Sequence, residues 1–165
     1  MKKIGLMTLV LLMIVLPLRS VSARGDVVIP GCDLAAQRIF QDEFLPLFED
    51  YAQLREAFIA NGDIGRTGGE LIALREALET AVADSPACLQ GLSLQLVLSV
   101  SNFQTAILFL ILSVEIDDPP LSESLGQISS HYAQRSDAQF AQAAETIEGW
   151  GIAPLAIIDR PADAT

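Results

Sequence analysis

From Cys88 to Val114 no side chain carries a charge, and from Ala106 to Leu112 every position is apolar. A helix apolar on all sides has to be covered, by protein or by lipid. Three other segments carry one-sided patterns that suit them to cover it. Over residues 33–60, Phe40, Phe44, Leu47, Phe48, Tyr51, Leu54 and Phe58 recur at three- and four-residue steps, while Asp42, Glu43, Glu49, Asp50, Arg55 and Glu56 take the other side. Over 68–84, Leu71, Leu74, Leu78 and Val82 form a narrower stripe. Over 118–150, Leu121, Leu125, Ile128, Tyr132, Phe140, Ala143 and Ile147 mark an inner side, and the pattern weakens around Ser136-Asp137. No internal sequence repeat stands out.

The punctuation agrees with four helices. Asp33 is placed as an N-cap, and Asn61-Gly62 reads as a stop. Thr67-x-x-Glu70 reads as a capping box for the second helix. Ser85-Pro86 is an N-cap followed by proline at the first helical position of the third. Asp117-Asp118-Pro119-Pro120 is a tight stop and start, with Asp118 or Ser122 as the cap, and Gly149-Trp150-Gly151 closes the last helix. Pro46 falls inside the first pattern and must bend or restart that helix, because it has no amide to bond the previous turn. Short connections make successive helices antiparallel. The expected fold is therefore all-α, an up-down-up-down four-helix bundle with a central apolar third helix. The bundle domain spans 32–158, after a leader at 24–31 and before a loose tail at 159–165.

The alternative cover for the third helix is lipid, with 92–114 as a transmembrane span and an external helical domain. Its length permits this. Its flanks oppose it: Glu115, Asp117, Asp118 and Glu123 follow on what would be the cytoplasmic side, and the first basic residue beyond is Arg135. Gln95, Asn102 and Gln104 would add a cost at membrane depth. Along the same helix Gln95, Ser99, Asn102 and Ser113 form an interrupted polar edge.

The first 23 residues read as a cleavable signal peptide. Lys2 and Lys3 precede the apolar run Ile4 to Leu16, and Val21-Ser22-Ala23 offers small residues for cleavage between Ala23 and Arg24. The run is short for a span, which needs about 20 residues. Ile29-Pro30-Gly31-Cys32 faintly resembles a lipidation box, but Pro30 fits it poorly, and Arg24 and Asp26 separate Cys32 from the apolar run. Cleavage removes Lys2, Lys3 and Arg19, so the formal net charge moves from −11 to −14 and no lysine remains. Such an acidic chain repels phosphate backbones, which excludes nucleic acid as a partner. In a secreted or periplasmic setting the pair Cys32 and Cys88 reads as a disulfide. Both cysteines sit at the starts of helices that begin at the same end of an up-down-up-down bundle, so cysteine spacing and helix count support each other.

Catalytic machinery is scarce. One histidine, no lysine after cleavage and two paired cysteines leave nucleophilic dyads and most general-base arrangements without parts. His131 reads as a boundary residue. No C-x-x-C-H or Glu-x-x-His motif supports a haem or di-iron site. The stretch Asn61 to Glu70 lacks the closing glutamate of a calcium loop and the lysine of a phosphate loop. No cofactor or metal is expected. The chain reads as a non-enzymatic binding or structural module, extracytoplasmic and free of nucleic acid. Three neighbours cover one stripe each, so the all-round apolar segment has a surplus suited to self-association, another protein or an apolar small molecule. Phe103, Ile107, Phe109, Leu110 and Ile111 are the candidate surface.

Overall fold

The computed structural model describes residues 28–152, and every regular element among them is helical. The signal peptide with its cleavage site, the first residues of the leader and the C-terminal tail lie outside the described residues. The elements are α1 (Leu34–Ile39), a π-helical turn (Phe40–Phe44), α2 (Leu45–Asn61), α3 (Ile64–Ala83), a 3-10 turn (Ala87–Leu89), α4 (Gln90–Glu115) and α5 (Pro119–Gly149). Because α1, the π turn and α2 run on without a break, they count as the first of four helical rods.

Local chemistry explains most boundaries. Asp33 accepts a hydrogen bond from the Ala36 amide at 2.8 Å, capping α1 as expected. Before it, Pro30-Gly31 occupies the centre of a turn closed by the Cys32 amide on the Ile29 carbonyl at 3.1 Å. Gly31 sits there at φ +78°, a conformation that favours glycine, and the turn folds Ile29 into the core. Pro46 is accommodated by widening the helix ahead of it. The Leu45 amide bonds back to Phe40, five residues earlier, and Pro46 then falls in the first turn of α2, where a missing amide matters least.

Gly62, at φ +64°, ends α2 with its amide on the Phe58 carbonyl at 2.8 Å. The next start differs from the expected capping box. Asp63 caps α3 by accepting from the Arg66 amide at 3.0 Å, Thr67 is buried inside the helix, and Glu70 pairs with Arg66 at 2.8 Å. An acidic N-cap directly after the glycine stop leaves no loop for Thr67 to terminate. Nor does Ser85 cap the following helix: Pro86 stands at the start of the 3-10 turn, which holds Cys88 and leads into α4. Asp118 caps α5 through the Leu121 amide at 3.3 Å, with prolines at its first positions.

Helices α4 and α5 are antiparallel and meet along a seam of small residues. Ser122 Oγ donates to the Ser113 carbonyl at 2.6 Å, Ser129 Oγ to the Ala106 carbonyl at 2.8 Å, and Ser99 Oγ to the Ser136 carbonyl at 2.9 Å. On α5 these positions recur every seven residues as Ser122, Ser129, Ser136 and Ala143, and on α4 as Ser99, Ala106 and Ser113. Small side chains let the two backbones come close, and the hydroxyls of Ser122, Ser129 and Ser99 are satisfied by the facing helix. The inner side of α5 therefore differs from its hydropathy stripe: Ser129, Ser136, Ala143, Ala144 and Ile147 are buried, whereas Leu121 and Ile128 are exposed.

The core collects Phe40, Phe44, Phe48, Tyr51, Leu71, Leu78, Leu89, Leu96 and Val100. Cys32 and Cys88 are bonded beside it with Cα atoms 5.5 Å apart. Trp150 sets its ring edge-on to Phe40 at 5.3 Å at the same end. Helix α4 is not sheathed on all sides. Leu92, Leu96, Val100, Phe103 and Ile107 turn inward, but Leu94, Leu98, Leu108 and Val114 are exposed, and beyond Ile107 no residue of α4 is buried. The physical reason is length. Helix α2 ends at Asn61, near Phe103, which Phe58 meets at 5.5 Å between ring centres. The last eight residues of α4, about 12 Å at the helical rise, have α5 as their companion.

Candidate functional site

Two features stand out, one inside and one outside. Inside, Tyr51 of α2 places its hydroxyl 3.0 Å from Ser99 Oγ on α4 and 2.9 Å from Ser136 Oγ on α5. Arg55, one turn further along α2, donates to Ser136 Oγ at 3.4 Å and pairs with Asp137. Its guanidinium lies over the rings of Tyr51, Phe103 and Phe140, nearest to Phe140 at 4.8 Å. The expected outward position of Arg55 is thus overturned. It is 7% exposed, because the bare aromatic faces around it and the carboxylate of Asp137 together replace its water.

Burial pushes the Tyr51 hydroxyl above its ordinary pKa, against the opposing pull of Arg55 and its serine partners. The phenol therefore keeps its proton, and Tyr51, Ser99 and Ser136 are all sealed from solvent. Closed off in this way, with each hydroxyl bonded to another helix, the cluster is suited to locking three helices in register. It falls where the apolar pattern of α5 weakens, at Ser136-Asp137. The polar edge read on α4 divides: Ser99 joins the cluster, Asn102 donates to Gln139 at 2.6 Å, and Ser113 bonds back to the Leu110 carbonyl at 2.7 Å. Gln95 Oε1 is enclosed with no hydrogen-bond partner among the described residues.

Outside, the candidate surface residues separate. Phe103 and Ile107 are core, at 7% and 5% exposed, and offer nothing to a partner. Phe109 is half-buried, stacked on Tyr132 with ring centres 5.9 Å apart, and Leu110 and Ile111 are half-buried as well. The exposed apolar positions on α4 are instead Leu94, Leu98, Leu108 and Val114, at 57%, 41%, 53% and 77%. The signal that would have found the outer face is phase: Leu94, Leu98 and Leu108 lie half a turn from the inward set Leu96, Val100, Phe103 and Ile107.

An open groove of about 560 Å³ lies between α2 and α3, lined by Leu54, Leu74, Arg66 and Glu70. His131 is exposed and sits edge-on to Tyr132, with ring centres 5.9 Å apart. Among the described residues, no three His, Cys, Asp or Glu side chains converge to hold a metal ion. Comparison with protein-family models, curated proteins and solved structures finds no match to this chain, so the geometry above alone carries the functional reading.

Proposed function

We propose that this chain is an exported, disulfide-clamped, up-down-up-down helical bundle that works by docking through the outer face of α4, with no catalytic step of its own. The observation that carries this is the uncharged outer face itself, on which Leu94, Leu98 and Leu108 stand exposed. The Lys2-Lys3 start, the apolar run after it and the small residues before Arg24 support export, as does a disulfide in so acidic a chain.

The reading is tested by expressing the full chain in a bacterial host with a photo-crosslinking residue at position 98, and as a control at the exposed Ser130. Extracytoplasmic protein is expected to begin at Arg24 with its cysteines bonded. Position 98 is expected to yield a protein adduct and position 130 none. Retention of Met1 overturns export, and the absence of any adduct at 98 overturns docking.

A second reading, α4 as a membrane span, has one observation in its favour. Within the helix through Ala87–Glu115, the most apolar 18-residue stretch has a mean hydropathy of 1.9, with 28% of it buried. Against it stands α5, paired along α4 and carrying Glu123, Arg135, Asp137 and Glu145, charges that a span would draw to membrane depth. Resistance of the chain to carbonate extraction from membranes is the result that favours the span over the docking module.

A further inference from the structure

The outer face of α4 has a spacing of its own. Leu94, Leu98, Ser101, Thr105, Leu108 and Leu112 follow one another at steps of four, three, four, three and four residues. That is the seven-residue repeat by which one helix packs against another. It differs from the inward set, which is already committed to the core. The stripe is also symmetric about position 103: Leu94 mirrors Leu112, Leu98 mirrors Leu108, and Ser101 mirrors Thr105.

An isologous contact requires that if one position meets a second, the second meets the first, and a mirrored stripe satisfies this when two copies run antiparallel. Deepening the docking reading, on which it rests, we infer that the partner of this face is a second copy of the chain. The two α4 helices cross antiparallel at Ser101 and Thr105, with Leu98 against the partner's Leu108 and Leu94 against the partner's Leu112.

Three observations fix this choice. The small residues fall at the centre, where close approach of two helices needs them. The Thr105 hydroxyl already donates to the Ser101 carbonyl at 2.8 Å, so covering it strands no donor. Charge decides direction. The next position of the repeat after Leu112 is Glu115, with Asp117 and Asp118 just beyond. A parallel pair would stack these acids on their own copies, whereas the antiparallel pair carries each acidic tip to the level of the partner's Gly91, a position without charge.

The test uses the oxidised exported chain, residues 24–165, in size-exclusion chromatography with light scattering over a concentration series. The wild type is expected to be a dimer. Leu98→Glu is expected to raise the dimer dissociation constant at least about 100-fold. The double variant Leu98→Lys with Leu108→Glu is expected to restore the dimer, since each lysine meets the partner's glutamate only in the antiparallel register. An α-helical circular dichroism signal equal to that of the wild type at about 25 °C, lost in a single cooperative melt, shows that the variants remain folded.

A monomeric wild type, a dimer indifferent to Leu98→Glu, or a double variant that stays monomeric while folded overturns the inference. A monomer that still gives a crosslink at position 98 to a different protein overturns the second copy and leaves the docking reading standing. A monomer that instead binds phosphatidylcholine vesicles, and loses that binding with Leu98→Glu, overturns both in favour of lipid.

Discussion

Tyr51 is the residue on which three helices agree, and its behaviour can be stated in advance. Replacing it with phenylalanine removes the hydroxyl but leaves Ser99 and Ser136 bonded to each other at 3.2 Å, so the lost stability should be about 1–2 kcal/mol rather than that of an orphaned polar group. The pH dependence is more telling. A phenol whose folded pKa is raised holds its proton more tightly in the native state. Its contribution is fully present below the unfolded value of about 10, and it is lost as pH rises from there through the folded value. Urea unfolding of the wild type should therefore lose stability above about pH 10, and Tyr51→Phe should show a shallower loss. Equal slopes would contradict the assignment. At this scale the sequence is legible wherever the cause is local: Asp33, Gly62 and Asp118 act on amides or carbonyls within four residues, and each does what its type suggests. Arg55 and Ser136 were not legible. Their burial depends on rings and a carboxylate contributed by other helices, which the local pattern around either residue does not contain.

Among elements, the α4–α5 pair is held by size as much as by apolarity. Ser129 is 8% exposed and donates to the Ala106 carbonyl on the opposite helix. Leucine there would lose that bond and force the helices apart, and the expected cost is about 2–4 kcal/mol. Leucine at neighbouring Ser130, which faces solvent, should change stability by less than about 0.5 kcal/mol. Chemical denaturation of the two variants measures the contrast, and equal effects would remove the seam as a determinant of packing. The seven-residue recurrence of Ser122, Ser129, Ser136 and Ala143 is present in the sequence. A pattern read by hydropathy counts serine as polar and passes over it, because small volume and a hydroxyl satisfied across the seam, not transfer energy, select residues where two backbones nearly touch. The same cause explains why Leu121 and Ile128 were expected inside and stand outside. The stripes of α2 and α3, where large apolar side chains fill the space, were largely legible: Phe48, Tyr51, Leu54, Leu71, Leu74 and Leu78 are buried, while Leu47, Phe58 and Val82 are half-buried against the core.

At the scale of the molecule, an uncharged helix announces that something must cover it but not how many neighbours reach its far end. That depends on where α2 stops, and the stop at Gly62 leaves the tip of the α4–α5 hairpin to itself. The opposite end is closed by Cys32–Cys88, which joins the start of the first rod to the start of the third across 56 residues of chain. Here the pairing was legible in the spacing, since Cys32 and Cys88 are each expected at the start of a helix and are bonded to each other. The bond should act mainly on the unfolded chain, where closing a loop of that length is worth about 4 kcal/mol. For a folded unit of this size that corresponds to a fall in Tm of about 10 °C on reduction. The effect should be smaller on folded-state properties. The hydrophobic cluster around Phe40, Leu89 and Trp150 packs beside the cysteines, so reduced protein well below its melt should keep its helical circular dichroism. Calorimetry with and without reductant, together with a Cys32→Ser/Cys88→Ser variant, separates the two effects. A reduced chain that melts where the oxidised one does would mean that packing alone holds the two helix starts together. Loss of helix at low temperature on reduction would mean that the bond, not the core, organises this end of the molecule.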